Sequence, residues 1–170
     1  MTARTLVLLR HAKAETPGDR PDFERPLTKK GQTDADAAGS WLADEGLRPD
    51  LVICSPATRA RQTWHGVAMA LSQADPTGPA PEVHYEPGLY EGGRTEVIDL
   101  LRAVPAETPT VLVVGHNPTM SDVSLLLRPT ADMDDPGLKT AGMAVHRTDG
   151  PWSETEPGSM PLVQEHTGRG

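Results

Sequence analysis

Two short strings in this 170-residue chain carry the residue types of phosphoryl chemistry. One is Leu8-Leu9-Arg10-His11-Ala12. The other, about a hundred residues later, is Val114-Gly115-His116-Asn117-Pro118. Each follows an apolar run that reads as a buried strand, and each sets a His where that strand stops. A third string, Ser55-Pro56-Ala57-Thr58-Arg59, sits at a third strand end. Two His and two Arg placed this way can build one cationic pocket around an imidazole nucleophile. An imidazole that attacks phosphorus becomes phosphohistidine, and arginines offset the charge on the phosphoryl oxygens.

The elements that must hold these residues can be read from period and punctuation. Residues 5–9, 51–54 and 110–114 are continuous apolar runs, as expected for strands covered on both faces. Residues 16–26 are polar with three prolines and read as a loop. Thr28 can cap a helix over 29–45, with Ala35, Ala38, Trp41 and Leu42 as its apolar, core-facing stripe and Gly46 as its stop. Ser55 as N-cap and Pro56 at the first helical position open the next helix, which carries Arg59, Thr63, Val67 and Leu71. Asn117-Pro118 repeats that device before a helix ending at Leu127. A short strand over 82–85, a helix over 95–103, an acidic loop over 128–139 and strands over 141–147 and 160–163 complete the reading. Residues 73–81 are a Pro/Gly/Ala loop, and 166–170 are expected to fray. Strands alternating with helices predict an α/β fold with a largely parallel central sheet, in one domain over 1–165.

Parallel sheets bind ligands beyond the carboxyl ends of their strands. Arg10, His11, Arg59 and His116 all fall there, and the two helices started by proline point their N-termini toward the same edge. Arg59 near a helix N-terminus opposes the helix dipole. An anion held there explains that placement better than helix stability does. His65, His84 and His146 read as structural residues, and Lys13 and Glu15 as solvated loop charges.

The net charge is −8, from 24 acidic and 16 basic residues. So acidic a chain should repel nucleic acid and anionic membrane, and an anion site must be a local concentration of Arg and His. Cys54 is the one cysteine, so no internal disulfide is possible. The His, Cys and acidic residues do not recur at metal-ligand spacing, so neither a metal nor another cofactor is expected. Residues 5–9 are too short for a signal-peptide core or a membrane span, which points to the cytoplasm. Without heptads or an apolar patch, a monomer is favoured.

Arg10-His11, Ser55-Pro56-x-x-Arg59-Ala60 and Gly115-His116-Asn117-Pro118 together resemble the motifs of the histidine phosphatase superfamily, the phosphoglycerate mutase-like proteins. Arg25-Pro26-Leu27-Thr28-x-x-Gly31 resembles the small bacterial phosphohistidine phosphatase branch. The resemblance spans about residues 5–127 and implies a three-layer α/β/α sandwich. It implies a two-step reaction in which neutral His11 attacks phosphorus and water hydrolyses the phosphohistidine. Arg10, Arg59 and His116 would hold the phosphoryl oxygens, while Arg25 either reaches the phosphate or holds its loop. Glu91, in Leu89-Tyr90-Glu91, loosely resembles the general acid of ester-cleaving members. A labile phosphoramidate such as protein phosphohistidine needs that acid least, and a small phosphate compound is the other candidate substrate.

Other classes are open on the sequence. An ester hydrolase or mutase would use Glu91 as acid. A non-catalytic phosphate-binding module would keep the pocket without turnover. A cysteine phosphatase would use Cys54, but its Cys-x5-Arg loop is here one residue short, and Pro56 removes an N–H donor.

Overall fold

The computed structural model describes residues 3–130 and 132–170. They are organised by one six-stranded sheet made of β1 (Arg4–Arg10), β2 (Leu51–Cys54), β3 (Glu82–Tyr85), β4 (Thr110–Gly115), β5 (Gly142–Thr148) and β6 (Leu162–Thr167). The spatial order is β3-β2-β4-β1-β5-β6. β1 to β4 are mutually parallel, β5 is antiparallel to β1, and β6 is antiparallel to β5. The helices are α1 (Lys29–Asp44), α2 (Thr58–Ala74), a single turn α3 (Gly88–Glu91), α4 (Arg94–Arg102) and α5 (Thr119–Leu127).

Handedness explains the layers. The chain moves from β1 to β2 to β3 in one direction across the sheet, then returns from β3 to insert β4 between β2 and β1. Right-handed crossovers therefore set α1 and α2 on one face and α4 on the other. Packing agrees. Val7, Leu9, Val52 and Leu112 meet Ala38 and Leu42 of α1 and Trp64, Val67 and Leu71 of α2. Leu6, Leu8, Ile53 and Val113 meet Val97 and Leu101 of α4 and Met120, Val123 and Leu127 of α5. Alternate residues of each strand thus serve opposite cores, which is why these strands read as unbroken apolar runs. Each fully buried Leu or Val among them contributes about 1.5–3 kcal/mol relative to an exposed one.

The cap of α1 is as the sequence predicts. The Thr28 hydroxyl accepts from the Gly31 N–H at 2.9 Å, and Gly46 follows the helix with φ of 68°. Gly31 lies so close to the backbone after His11 that a Cβ would run into the Lys13 carbonyl oxygen. The Thr28 N–H donates to that same carbonyl at 2.9 Å.

Four expectations need correction. α2 begins at Thr58, not at Pro56, because the Ser55 hydroxyl accepts from the Ala57 N–H at 3.2 Å and closes a turn ahead of the helix. The last strand runs over Leu162–Thr167, later than expected. Residues 166–170 are also tied down rather than frayed. The Gly168 N–H donates to the Ala141 carbonyl at 3.0 Å, and the Gly170 N–H to Asp34 Oδ1 at 3.1 Å. The His166 ring stacks on Trp41 with centroids 4.6 Å apart, so Trp41, expected as core, sits half-buried under the tail. Among the described residues, no helix is long and apolar enough to cross a membrane.

Candidate active site

Strand register builds the site. Arg10 at the end of β1 pairs with Gly115 at the end of β4, and Cys54 at the end of β2 pairs with Val114. β1 and β4 stop level and β2 one residue earlier, so His11, Ser55 and His116 emerge at one edge of the sheet, with His116 following the central strand. The His11 and His116 rings lie 5.2 Å apart, tilted by 59°.

His11 is buried, with 9% exposure. Its Nδ1 is 2.7 Å from the Ala12 carbonyl oxygen. A carbonyl only accepts, so Nδ1 carries the proton and Nε2 presents its lone pair. That lone pair faces Arg59 Nε at 3.4 Å. Burial lowers the His11 pKa to about 4. The Ala12 hydrogen bond opposes the shift, and the charges of Arg59, Arg10 and Arg25 add to it. The imidazole is therefore neutral at physiological pH.

Arg59 is 6% exposed and enters from the first turn of α2. Besides facing His11, it donates to the Asp22 carbonyl at 2.8 Å and to Asp22 Oδ2 at 3.1 Å. One turn on, the Thr63 hydroxyl donates to the Arg59 carbonyl at 2.7 Å and accepts from the Ala12 N–H at 3.0 Å. That hydroxyl locks the two strand-end segments together. Arg10 donates to the Leu138 carbonyl at 3.0 Å, and Asn117 Nδ2 donates to the same oxygen at 2.8 Å. The loop carrying Leu138 thereby positions both. Arg10 Nε is buried without a hydrogen-bond partner among the described residues.

His116 Nε2 lies 2.7 Å from Ser55 Oγ, and its Nδ1 is buried without a partner among the described residues. Burial lowers the His116 pKa to about 3, with His11 and Arg59 adding to the shift.

Arg25 sits at the rim. It donates to Asp22 Oδ1 at 2.9 Å and to the Glu15 carbonyl at 3.0 Å, the contacts of a residue that holds its loop. Glu91 ends α3, exposed, and its side chain makes no hydrogen bond or ion pair among the described residues. The side chain that turns inward there is its neighbour. Tyr90 donates from its hydroxyl to Asp22 Oδ2 at 2.8 Å, and its ring lies 5.7 Å from that of His116. Asp22 thus gathers Arg25, Arg59 and Tyr90. Burial would raise its pKa, but hydrogen bonds from Tyr90 and Arg25 and the charge of Arg59 outweigh it and hold the carboxyl at about 2.

Sequence reasoning missed Asp22, Tyr90 and Leu138. Asp22 precedes Arg25 by one helical turn, and the short 3-10 turn Asp22–Glu24 that carries it is the one available signal. Cys54 offers no nucleophile, because burial pushes its thiol up to about 12 and leaves it fully enclosed. His146 is buried, as a structural role requires, but His65 and His84 lie on the surface. A hollow of ≈ 730 Å³ beside Arg102 and Met160 includes none of these residues. The reactive groups lie instead under the Asp22 turn.

The family model of the histidine phosphatase superfamily (branch 1) matches residues 6–98. This chain belongs to that superfamily. An uncharacterized protein of Mycobacterium tuberculosis is 36% identical over 168 residues, covering 95% of this chain and all of that one. Among solved structures, the candidate phosphohistidine phosphatase SixA from Nakamurella multipartitia is 34% identical with a TM-score of 0.84, covering 99% of this chain and 98% of that one. Its counterpart from Agrobacterium tumefaciens is 28% identical with a TM-score of 0.75, covering 96% and 97%. The fold expected from the sequence is the one these structures share. For this histidine phosphatase the likeness supports hydrolysis of a phosphorylated substrate.

Proposed function

We propose that this histidine phosphatase removes the phosphoryl group of protein phosphohistidine through a covalent intermediate on His11. The observation that supports it most is a neutral, oriented imidazole linked through Arg59 to a carboxylate, Asp22, that is ionised and has no proton to give. Cleaving an ordinary ester expels an alkoxide, which an acid must protonate. A phosphoimidazolium needs no such acid, because its leaving ring departs as a neutral imidazole.

In the first step the His11 Nε2 lone pair forms a bond to phosphorus as the phosphorus–nitrogen bond of the substrate breaks. The electron pair of that bond stays with the departing ring. His11 becomes a phosphoimidazolium, and its Nδ1–H remains on the Ala12 carbonyl, which stabilises the cation. In the second step water attacks phosphorus, the bond to Nε2 breaks, and the water proton passes to solvent or phosphate. Arg10, Arg59 and His116 supply fixed donors to the non-bridging oxygens, with no solvent reorganisation at the moment of reaction. Arg25 supports them through its hold on the Asp22 turn. In this reading the enzyme is a cytoplasmic monomer that uses neither metal nor cofactor.

The test is single-turnover mixing with a phosphohistidine protein, quenched in base. The wild type should yield a base-stable, acid-labile phosphoenzyme that His11→Ala does not form. His11→Ala should also lose at least about a thousandfold in turnover. Normal turnover in His11→Ala would end the proposal.

A further inference from the structure

Asp22 has acceptor capacity to spare. An ionised carboxylate offers about four lone-pair sites. Three are filled, by Arg25 on Oδ1 and by Arg59 and Tyr90 on Oδ2. The side chain is still half exposed. Its position is held from three sides, so the open site is fixed in direction rather than free to turn away. Arg59 bridges it to the nucleophile, because the guanidinium that grips Asp22 also faces His11 Nε2 at 3.4 Å. A phosphoryl group bound to Arg59 and His11 would place its leaving group beside this carboxylate.

We propose that Asp22 selects the leaving group, accepting a hydrogen bond from the distal ring N–H of a phosphoimidazolium and disfavouring an anionic leaving oxygen. The inference rests on the phosphohistidine reading above. The chemistry discriminates in two ways. The distal N–H of the substrate ring is a donor that an alkyl or aryl oxygen lacks. A fixed negative charge also attracts a ring that is cationic in the ground state, and repels an oxygen that gains negative charge in the transition state. Both effects act at a half-exposed carboxylate that charge-assisted bonds from Arg25 and Arg59 hold in place.

The test compares 1-phosphoimidazole with para-nitrophenyl phosphate in wild type and Asp22→Asn. The amide keeps the shape and can still accept from Arg59 and Tyr90, but it loses the charge. The ratio of kcat/KM for phosphoimidazole over the aryl ester should fall at least about tenfold, equivalent to about 1.4 kcal/mol. An equal loss on both substrates would make Asp22 only a support for Arg59 and would overturn the inference. A second probe needs no variant. 1-Phospho-3-methylimidazolium keeps the cation but has no distal N–H. It should show a KM at least about fivefold higher than phosphoimidazole in the wild type, and an equal KM would count against the hydrogen bond. Wild-type enzyme that forms no phosphoenzyme from any phosphoimidazole would instead remove the underlying reading and this inference with it.

Discussion

The Ser55 hydroxyl and the His116 ring form a pair, with Ser55 Oγ 2.7 Å from His116 Nε2. Ser55 Oγ accepts from the Ala57 N–H, so its own proton is free to be given to His116 Nε2, 2.7 Å away. The His116 proton then resides on Nδ1, which is buried without a hydrogen-bond partner among the described residues. In the proposed mechanism that Nδ1–H is the donor to a phosphoryl oxygen. Ser55→Ala should leave the fold intact, since the side chain loses one oxygen, but should lower kcat by about tenfold. Steady-state kinetics would check this. An unchanged kcat would show that His116 needs no such partner.

Glu91 is exposed, and its side chain has no partner among the described residues. Glu91→Gln should therefore change kcat/KM for alkyl and aryl phosphates alike and by less than about threefold. Parallel assays of the two esters decide the matter. A loss of about a hundredfold confined to the alkyl ester is the signature of a general acid, and would restore the ester-hydrolase reading.

Charge offset by Arg10 and Arg59, with His116 as a neutral donor, predicts that activity survives prolonged dialysis against EDTA. Vanadate should compete with substrate, because it can take up the five-coordinate geometry of transferring phosphorus. Loss on chelation that added metal restores would contradict the proposed mechanism.

The acid limb of kcat/KM should be displaced. An ordinary His would lose activity as pH falls through about 6.5. Burial holds His11 near 4 and His116 near 3, so neutral His11 persists well below pH 6. The limb should lie near 4 once the ionisation of the substrate is corrected for. Because the rings are 5.2 Å apart, the observed value belongs to the pair.

Stability should follow the same sign. His146 is enclosed, with Nδ1 donating to the Met160 carbonyl at 2.9 Å and Nε2 facing the Ser124 hydroxyl at 2.8 Å. Burial lowers its pKa to about 4, against an ordinary 6.5. Below the ordinary value the unfolded chain takes up protons that the folded chain refuses. The stability contribution of His11, His116 and His146 is thus complete above about pH 6.5 and is lost as pH falls toward 4 and 3. Urea unfolding at about pH 7 and about pH 5 should differ by about 2–5 kcal/mol. His146→Gln should flatten part of that slope while lowering stability at both pH values.

The sequence was most legible where one physical signal dominated. β1, β2 and β4 are buried on both faces, so their apolar runs and the abrupt polar stops marked both the strands and the residues at their ends. Thr28 was legible because an N-cap is a local bond. Ser55-Pro56 misled for the same reason. The pair has the composition of a cap, yet tertiary contact commits the hydroxyl to His116 and delays the helix. Asp22, Tyr90 and Leu138 left almost no trace, since each acts from a loop or a single turn whose position depends on partners far along the chain. The C-terminal residues looked free because nothing in their composition announces Asp34 and Ala141 as anchors.

The close approach of Gly31 to the Lys13 carbonyl makes position 31 a mechanical stop for the segment that leaves the nucleophile. Any side chain there would push on the Lys13 backbone, two residues beyond His11, without touching a substrate. In a saturation screen scored by turnover, Gly31 would therefore cluster with His11 and Arg59, although it has no group with which to do chemistry. Screens scored by protein abundance would separate them, since Gly31→Ala should also lower the amount of folded enzyme, whereas His11→Ala should not.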